Sequence, residues 1–501
     1  IGSDMSGFET THDSLATQKT GSEILKQIFF DNSFINFGKD LDYTQATTFS
    51  PKFNFPIIKK YLDITASYNV TYGWTNPNTT NNIGYNVGYS NNITTGINLK
   101  VSDILKSFSS GSESPKLRLF GQSMKDGKGK KIFDDEPSIN IFSVLKSFIP
   151  EIISLSFQQQ NSLANGAVAG RPGFTNFWFS FLNKESYGPS LWYQLGLGRN
   201  PGFRVPGVYV NDQYNQQNSI NVTTQMSPIF PNNIKLNLTF KKSFGFNNGN
   251  AFTVAEDGFS QLNNLLTSST TNAYSILFVG KAEKFSFSPS PDPDENIKNI
   301  TDAFKTKISA IPFPNWTLTI SGLEKFPLFE QFATLVTLEN AFTSEYSEGI
   351  TRDTRGFMIP SSLRAQQAFN PLIGLNITFK EAFGGNLTGT IRYNTSLQNT
   401  LTPTSSLLQS LSTSDWSVNL NYAKSGFDIP LFGLSLKNDI AFAVAISKNK
   451  NEPVDYRFDA GSETPTPIPG NGSSVTTVNP SIQYSLSSKV QMQVFYKYIK
   501  T

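Results

Sequence analysis

Residues 61–74 read YLDITASYNVTYGW. From Leu62 on, every second position is apolar, aromatic or small: Leu62, Ile64, Ala66, Tyr68, Val70, Tyr72 and Trp74. Between them stand Asp63, Thr65, Ser67, Asn69, Thr71 and Gly73. A period of two sends alternate side chains to opposite faces of a β-strand. The stretch therefore reads as one strand with an apolar face and a face of hydroxyls and amides. It is also long. Strands in soluble sheets run to about 5–6 residues, whereas a tilted strand crossing a bilayer needs about 9–11.

The pattern recurs. In NIKLNLTFKKS, Ile234, Leu236, Leu238 and Phe240 alternate with Lys235, Asn237, Thr239 and Lys241. In NWTLTIS, Trp316, Leu318 and Ile320 alternate with Thr317 and Thr319. In LIGLNITFK, Ile373, Leu375, Ile377 and Phe379 alternate with Gly374, Asn376, Thr378 and Lys380. DWSVNLNY sets Trp416, Val418, Leu420 and Tyr422 against Ser417, Asn419 and Asn421. NDIAFAVAIS sets Ile440, Phe442, Val444 and Ile446 against alanines, and Val490 to Tyr498 alternate with Gln491, Gln493 and Lys497. Turn-rich stretches separate these runs: TNPNTTNN, NNGN, SPSPDPDEN and GSETPTPIPGNG. Consecutive strands joined by turns imply antiparallel pairing. SEILKQIFF (22–30), the segment 140–153 and NIKNITDAFKTKI (296–308) read as helices, hence as inserts or caps on loops. No solenoid repeat is present.

Composition points the same way. Apolar residues are 38% and charged residues 16%, against about 45–50% and about 25% in soluble domains. Asn, Ser, Thr and Gln fill the gap, with 43 Phe and 18 Tyr. Aromatics gather at the ends of the alternating runs, as at membrane interfaces: Tyr72 with Trp74, Trp316, Trp416 with Tyr422, and Tyr496 with Tyr498. The polar positions carry few charges, unlike the outer face of a soluble protein. These observations predict an all-β, antiparallel transmembrane barrel. An unpaired amide in hydrocarbon costs several kcal/mol, so such strands must close without edges. The predicted lipid-facing residues are Leu62, Ile64, Tyr68, Val70, Tyr72, Trp74, Ile373, Leu375, Ile377, Phe379, Trp416, Val418, Leu420, Tyr422, Ile440, Phe442, Val444 and Ile446. The predicted lumen-facing residues are Thr65, Ser67, Asn69, Thr71, Asn376, Thr378, Ser417, Asn419 and Asn421. Residues 1–54 form an N-terminal segment with a short helix and loop, and 55–501 form the strands with their inserts.

Chemistry finds little to work with. With no cysteine there is no disulfide, thiol nucleophile or Cys-type metal site. The single histidine, His12, sits in the polar stretch TTHDSLATQKT and reads as a solvated loop residue, so no Ser–His–Asp site is in view. Asp292, Asp294 and Glu295 in SPSPDPDENI lack the EF-hand spacing and read as turn chemistry. GLGRNPG (196–202) matches neither a dinucleotide nor a phosphate loop. Asn69-Val70-Thr71 is an acceptor triplet inside a strand, which argues against glycosylation. A net charge of +3 gives no case for nucleic acid. The expectation is no enzyme, no cofactor and no metal. No apolar run reaches transmembrane-helix length. IGSDMSGFET is no signal peptide, and since a β-membrane protein needs export, a mature form or a fragment is expected.

Several longer stretches resemble one family, the SprA (Sov) proteins, the giant outer-membrane translocon barrel of the type IX secretion system of gliding Bacteroidota. The sharpest is PNWTLTISGLEKFPLFEQFATLVTLENAFTSEYSEG (314–349). AFNPLIGLNITFK (368–380), LKNDIAFAVAIS (436–447) with KNKNEPVDYR, and NPSIQYSLSSKVQMQVFYKYIKT (479–501) follow in the family's order. YLDITASYNVTYGW and ISLSFQQQN (153–161) with RPGF (171–174) fit less sharply. Asn340-Ala341-Phe342 stands where the family is expected to have His-Ala-Tyr. The resemblance implies that these residues are a C-terminal portion of a very large barrel wall, in the class of the largest known at about 36 strands. It also implies the function: an outer-membrane channel passing folded, secreted protein substrates out of the periplasm. The implied partners are the rest of the same barrel, a periplasmic plug protein, an outer-membrane shuttle protein, and lipid with lipopolysaccharide. The alternatives are a self-contained porin or lipid or solute transporter barrel, and a β-rich surface adhesin.

Overall fold

The computed structural model describes residues 8–10, 16–18, 42–53, 59–75, 83–108, 149–169, 188–227, 233–308, 311–381, 383–431, 434–458, 462–487 and 489–501. Strands β1 (Phe8–Thr10) and β2 (Ala16–Gln18) pair only with each other among the described residues. One 17-stranded sheet holds the rest. It starts with β3 (Asp42–Phe49), β4 (Leu62–Thr75) and β5 (Tyr85–Lys100), followed by α1 (Val101–Phe108) and β6 (Ile152–Val168). Helix α2 (Leu191–Gln194) precedes β7 (Tyr209–Met226), β8 (Ile234–Val254) and β9 (Gln261–Tyr274). Helix α3 (Pro293–Lys307), β10 (Asn315–Ile320) and α4 (Pro327–Glu330) come next. Then follow β11 (Ala333–Arg352), β12 (Met358–Phe379), β13 (Asn386–Thr402), β14 (Leu407–Leu431) and β15 (Leu434–Arg457). The last are β16 (Thr466–Pro469), β17 (Ser473–Ser487), β18 (Val490–Phe495) and β19 (Tyr498–Lys500).

Every register given for this sheet is antiparallel, and neighbours in sequence are neighbours in space from β3 to β8 and from β11 to β15. The fold is therefore all-β. No strand register closes the sheet on itself among the described residues. Between β8 and β11 lies one interrupted strand. β9 pairs with the upper parts of both neighbours and β10 with the lower parts. The chain between them, residues 275–314, leaves the sheet as an insert carrying α3. Here "lower" means the end bearing Leu62, Lys100 and Phe379, and "upper" the end bearing Thr75, Tyr85 and Met358.

Two upper turns show why the chain reverses where it does. Asp257 Oδ1 accepts from the amides of Phe259 and Ser260 at 2.8 and 2.7 Å, and Gly258 follows at φ +69°. Asp353 Oδ1 accepts from the amides of Arg355 and Phe357 at 3.0 and 2.8 Å, with Gly356 at φ +90°. Such side-chain bonds replace the ladder partners that the turn amides lose.

The alternating runs fall where the period placed them, but the strands are longer. β14 spans 25 residues and β15 spans 24, roughly 80 Å of extended chain. Trp416 and Trp74 differ accordingly: Trp74 sits near a strand end, whereas Trp416 is mid-strand. NNGN (247–250) is no turn. It lies within β8, with Asn247 opposite Asn215 and Asn250 opposite Asp212; pairing on both sides overrides its local turn preference. Part of GSETPTPIPGNG likewise pairs, as β16 against β15. The sheet begins at β3, within the segment 1–54 read as helix and loop; Tyr43, Gln45 and Thr47 give no apolar alternation to mark it, and pairing with β4 makes it a strand. The helix over 296–308 is present as α3, started by Asp292, whose side chain accepts from the Asp294 amide. Residues 22–30, His12 and 171–174 lie outside the described residues, as does most of 140–153; Ile152 and Ile153 at its end are strand.

Candidate functional site

The registers assign every strand residue to one of two faces. Ile93 in β5 lies on a row that runs Gln159, Asn218, Phe244, Asn272, Glu348, Leu363, Leu401, Leu408 and Tyr456, from β6 to β15. Extending this parity along the strands puts all eighteen predicted lipid-facing residues on the row's face. All nine predicted lumen-facing residues fall on the other.

The first face carries an apolar belt along the lower part of the sheet. Most of its members are half-buried to exposed, with Leu420 at 41% and Ile373 at 54%, whereas Val336, Phe342 and Ile440 are buried. The belt does not follow the row; it slants. Its upper margin is Ile93 in β5, Phe157 two residues below the row in β6, and Phe240 four below in β8, where Phe244 on the row itself is also open at 42%. Tyr393 in β13 is eight below and Ile446 in β15 ten below, while Phe342 in β11, six below, is fully buried under Trp316 and Phe278. From Ile93 in β5 to Ile446 in β15 the continuous belt descends ten residues, about one residue per strand, with Phe244 and Leu266 as isolated open apolar residues above it. With a rise of about 3.3 Å per residue and strands about 4.8 Å apart, that slope corresponds to an angle of roughly 35–40°.

The second face is mainly polar, with alanines in β15 and scattered leucines such as Leu411. Across β4–β7 it presents Thr65, Ser67, Asn69 and Thr71, then Thr94, Asn92 and Ser90, Gln158 and Gln160, and Gln217 and Ser219. Its amides bond across strands: Gln158 donates to Asn92 at 3.2 Å and Gln483 to Gln491 at 2.9 Å. Charges on this face are few, and several are paired. Arg392 donates to Glu339 at 3.0 Å, bridging over Gly374, and Asn376 donates to the other carboxylate oxygen at 3.1 Å. Lys100 meets Asp63 at 2.9 Å. Glu339 and Arg392 were not singled out in the sequence; a charge at a polar position of an alternating run is the signal that marks them.

Above the belt, two inserts cover the apolar face. The first, residues 188–208, lies on Val70, Tyr72, Trp74, Val87, Tyr89 and Leu163 through Tyr193, which is fully buried. Val70, Tyr72 and Trp74 are therefore under protein rather than part of the open belt, a correction that needed the insert. Polar residues on this face hold it in place. Asn91 donates to the Gly196 carbonyl at 2.7 Å, Tyr68 donates to the Leu195 carbonyl, and Tyr193 donates to Asn165 at 2.7 Å. Burial pushes the Tyr193 phenol well up from its ordinary range. Arg204 makes a buried two-pronged pair with Asp212. Gly196, from GLGRNPG, has φ +70°, and a Cβ there would meet Asn91, Tyr68 and Val70 at 2.9–3.0 Å. Its role is close packing.

The second insert packs Ile300, Phe304 and Ile308 with Phe285 and Phe287 against Tyr346, Leu363, Leu401, Leu408 and Tyr456. It too is held by polar residues that break the alternation. Gln367 accepts from the Val279 amide at 2.9 Å, Asn399 donates to the Gly280 carbonyl at 2.7 Å, and Glu348 accepts from Lys305 at 2.7 Å. The carboxylates of SPSPDPDENI are all engaged. Asp292 caps α3, Glu295 accepts from Ser290 at 2.6 Å, and Asp294 receives both arms of Arg355 at 2.8 Å. The Arg355 bonds hold the Asp294 carboxyl below the usual carboxylate range. Among the described residues no cluster of His, Asp and Glu could hold a metal ion. No helix of the described residues is long and apolar enough to cross a membrane, which leaves crossing by strands open.

No protein-family model and no curated protein matches this chain.

Proposed function

We propose that this chain is an arc of an outer-membrane barrel wall whose polar face lines a water-filled, protein-conducting channel, as its resemblance to the SprA (Sov) translocon implies. The slanting belt supports this most directly. In a barrel whose strands tilt by about 35–45°, a level band of lipid must cross the strand rows obliquely. The slope found here has that size. In a soluble sandwich the same residues would pack on a second sheet. Here they stand open over many strands, a patch far larger than water tolerates. Hydrocarbon is the solvent that suits them.

The polar face supplies the mechanism. Ser, Thr, Asn and Gln keep the lumen wet and offer a passing protein no apolar surface to adhere to. Paired and sparse charges make no ring of one sign, the device by which solute channels select ions. Transport then depends on lumen width and on gating partners, a periplasmic plug and an outer-membrane shuttle, with no catalytic step. A self-contained porin or lipid transporter is the rival.

The test is a cryo-EM map of the assembly extracted from native outer membranes. A wide lumen with residues 42–501 as one arc, and folded cargo, plug or shuttle bound, is the expected result. A small barrel closed by these strands alone would replace the translocon with the solute channel. A map with the belt packed on protein all along its length would move the chain to the adhesins.

A further inference from the structure

The two inserts end in similar edges. At the lower tip of the first, Trp192 is 64% and Leu197 60% exposed. The adjoining carbonyls of Leu195 and Gly196 are held by Tyr68 and Asn91. Tyr68 is opposite Ile93, the top of the belt in β5, and Asn91 stands just above it. In the second insert, Phe278 is 54% and Ile311 59% exposed. The Phe278 ring lies 5.5 Å from that of Phe342, a buried residue at the upper margin of the apolar run in β11. Leu277 donates its amide to the Ile311 carbonyl at 2.8 Å, which places Ile311 beside Phe278.

These two edges are separated by several strands, and the belt has dropped six residues along the rows between them. Each edge nevertheless meets the belt at its local top. Exposed side chains elsewhere on an insert would be indifferent to that slant. Apolar and aromatic groups at the boundary between a lipid band and water match the girdle chemistry of membrane barrels, in which an amphipathic ring sits at headgroup depth.

We propose that both inserts rest on the membrane surface, with Trp192, Leu197, Phe278 and Ile311 seated in the lipid headgroup layer. The occupant is the bilayer and not a second protein, because both edges carry exposed apolar and aromatic side chains beside the upper margin of the belt in their own strands. The inference rests on the reading of the belt as lipid-facing. The inserts would thereby fix the depth of the wall in the membrane and seal its outer surface where tall strands leave the lipid.

The chain has no cysteine, so an introduced thiol labels one place in it. Spin labels at Trp192→Cys, Leu197→Cys, Phe278→Cys and Ile311→Cys would be compared with Leu420→Cys in the belt and Arg355→Cys on an upper turn. The protein is the assembled translocon in nanodiscs of outer-membrane lipid, and accessibility is read with oxygen and with a water-soluble nickel chelate. The expected result is Leu420 deep, Arg355 aqueous and the four insert sites at headgroup depth between them. Insert sites as aqueous as Arg355, with Leu420 still deep, would overturn the inference and leave the lipid-facing belt standing. Insert sites shielded from both reagents would mean a protein partner and overturn it equally. A Leu420 label open to nickel would overturn the belt reading and this inference together.

Discussion

At the residue scale, Asn419 and Leu420 are adjacent in β14 but face opposite sides of the wall, Leu420 on the belt and Asn419 on the polar face. Arginine at a mid-bilayer, lipid-facing site costs about 2–4 kcal/mol. Leu420→Arg should therefore impair assembly, seen as loss of the heat-modifiable band on a gel, while Asn419→Arg assembles normally. Equal tolerance of both would sink the assignment of faces. Asp212 offers a second test. Its pair with Arg204 is buried, and removing one partner of a buried pair costs about 3–5 kcal/mol. Asp212→Ala should release the first insert, so that limited proteolysis cuts within 188–208 while the strands stay protected. Protection of the insert equal to that of the native protein would show that Tyr193 and Asn91 hold it alone.

At the element scale, α3 is the clearest unit. Phe304 is fully buried beneath it, and Phe304→Ala should cost about 3–5 kcal/mol locally. Hydrogen exchange in residues 293–308 should speed up greatly, with little change in β12–β14. The first turn of α3 should also respond to acid. Arg355 lowers the pKa of Asp294 in the folded state, so its contribution is present at neutral pH. It is lost as pH falls below the ordinary aspartate value of about 3.9 toward the lower folded value. Exchange at the start of α3 should rise below about pH 4, and Arg355→Gln should show that faster exchange already at pH 7. Both groups are exposed, so the effect is local. A first turn indifferent to acid and to Arg355→Gln would mean that the Asp292 cap suffices.

For the whole molecule, the slant of the belt makes a prediction that no single strand could. Ile93 and Ile446 lie ten residues apart in row terms but both top the belt. Labels at these two sites should report the same bilayer depth. Phe244 shares the row of Ile93 but stands four residues above Phe240, and its label should lie shallower by about 10 Å. Equal depths for Ile93 and Phe244 would mean that strands stand upright, and the tilted wall would have to be abandoned.

The period of two in YLDITASYNVTYGW and its repeats was enough to determine strand and face, because alternation is a property of the extended chain itself, and the turns between the runs implied antiparallel order. Strand parity keeps the two assigned sets on opposite faces of the sheet. The composition showed as plainly that one face is rich in neutral polar residues. The inserts were not legible in this way. Asn91, Asp212, Gln367 and Asn399 look like breaks in a pattern until the backbone groups they serve are in place. Val70, Tyr72 and Trp74 look like lipid-facing residues until Tyr193 covers them. The strand character of NNGN came from neighbours on either side, and that of β3 from its pairing with β4. The slant of the belt was equally hidden, since each strand shows only its own apolar run. What aligns those runs at an angle is the register between strands, and that is decided by contacts far apart in the sequence.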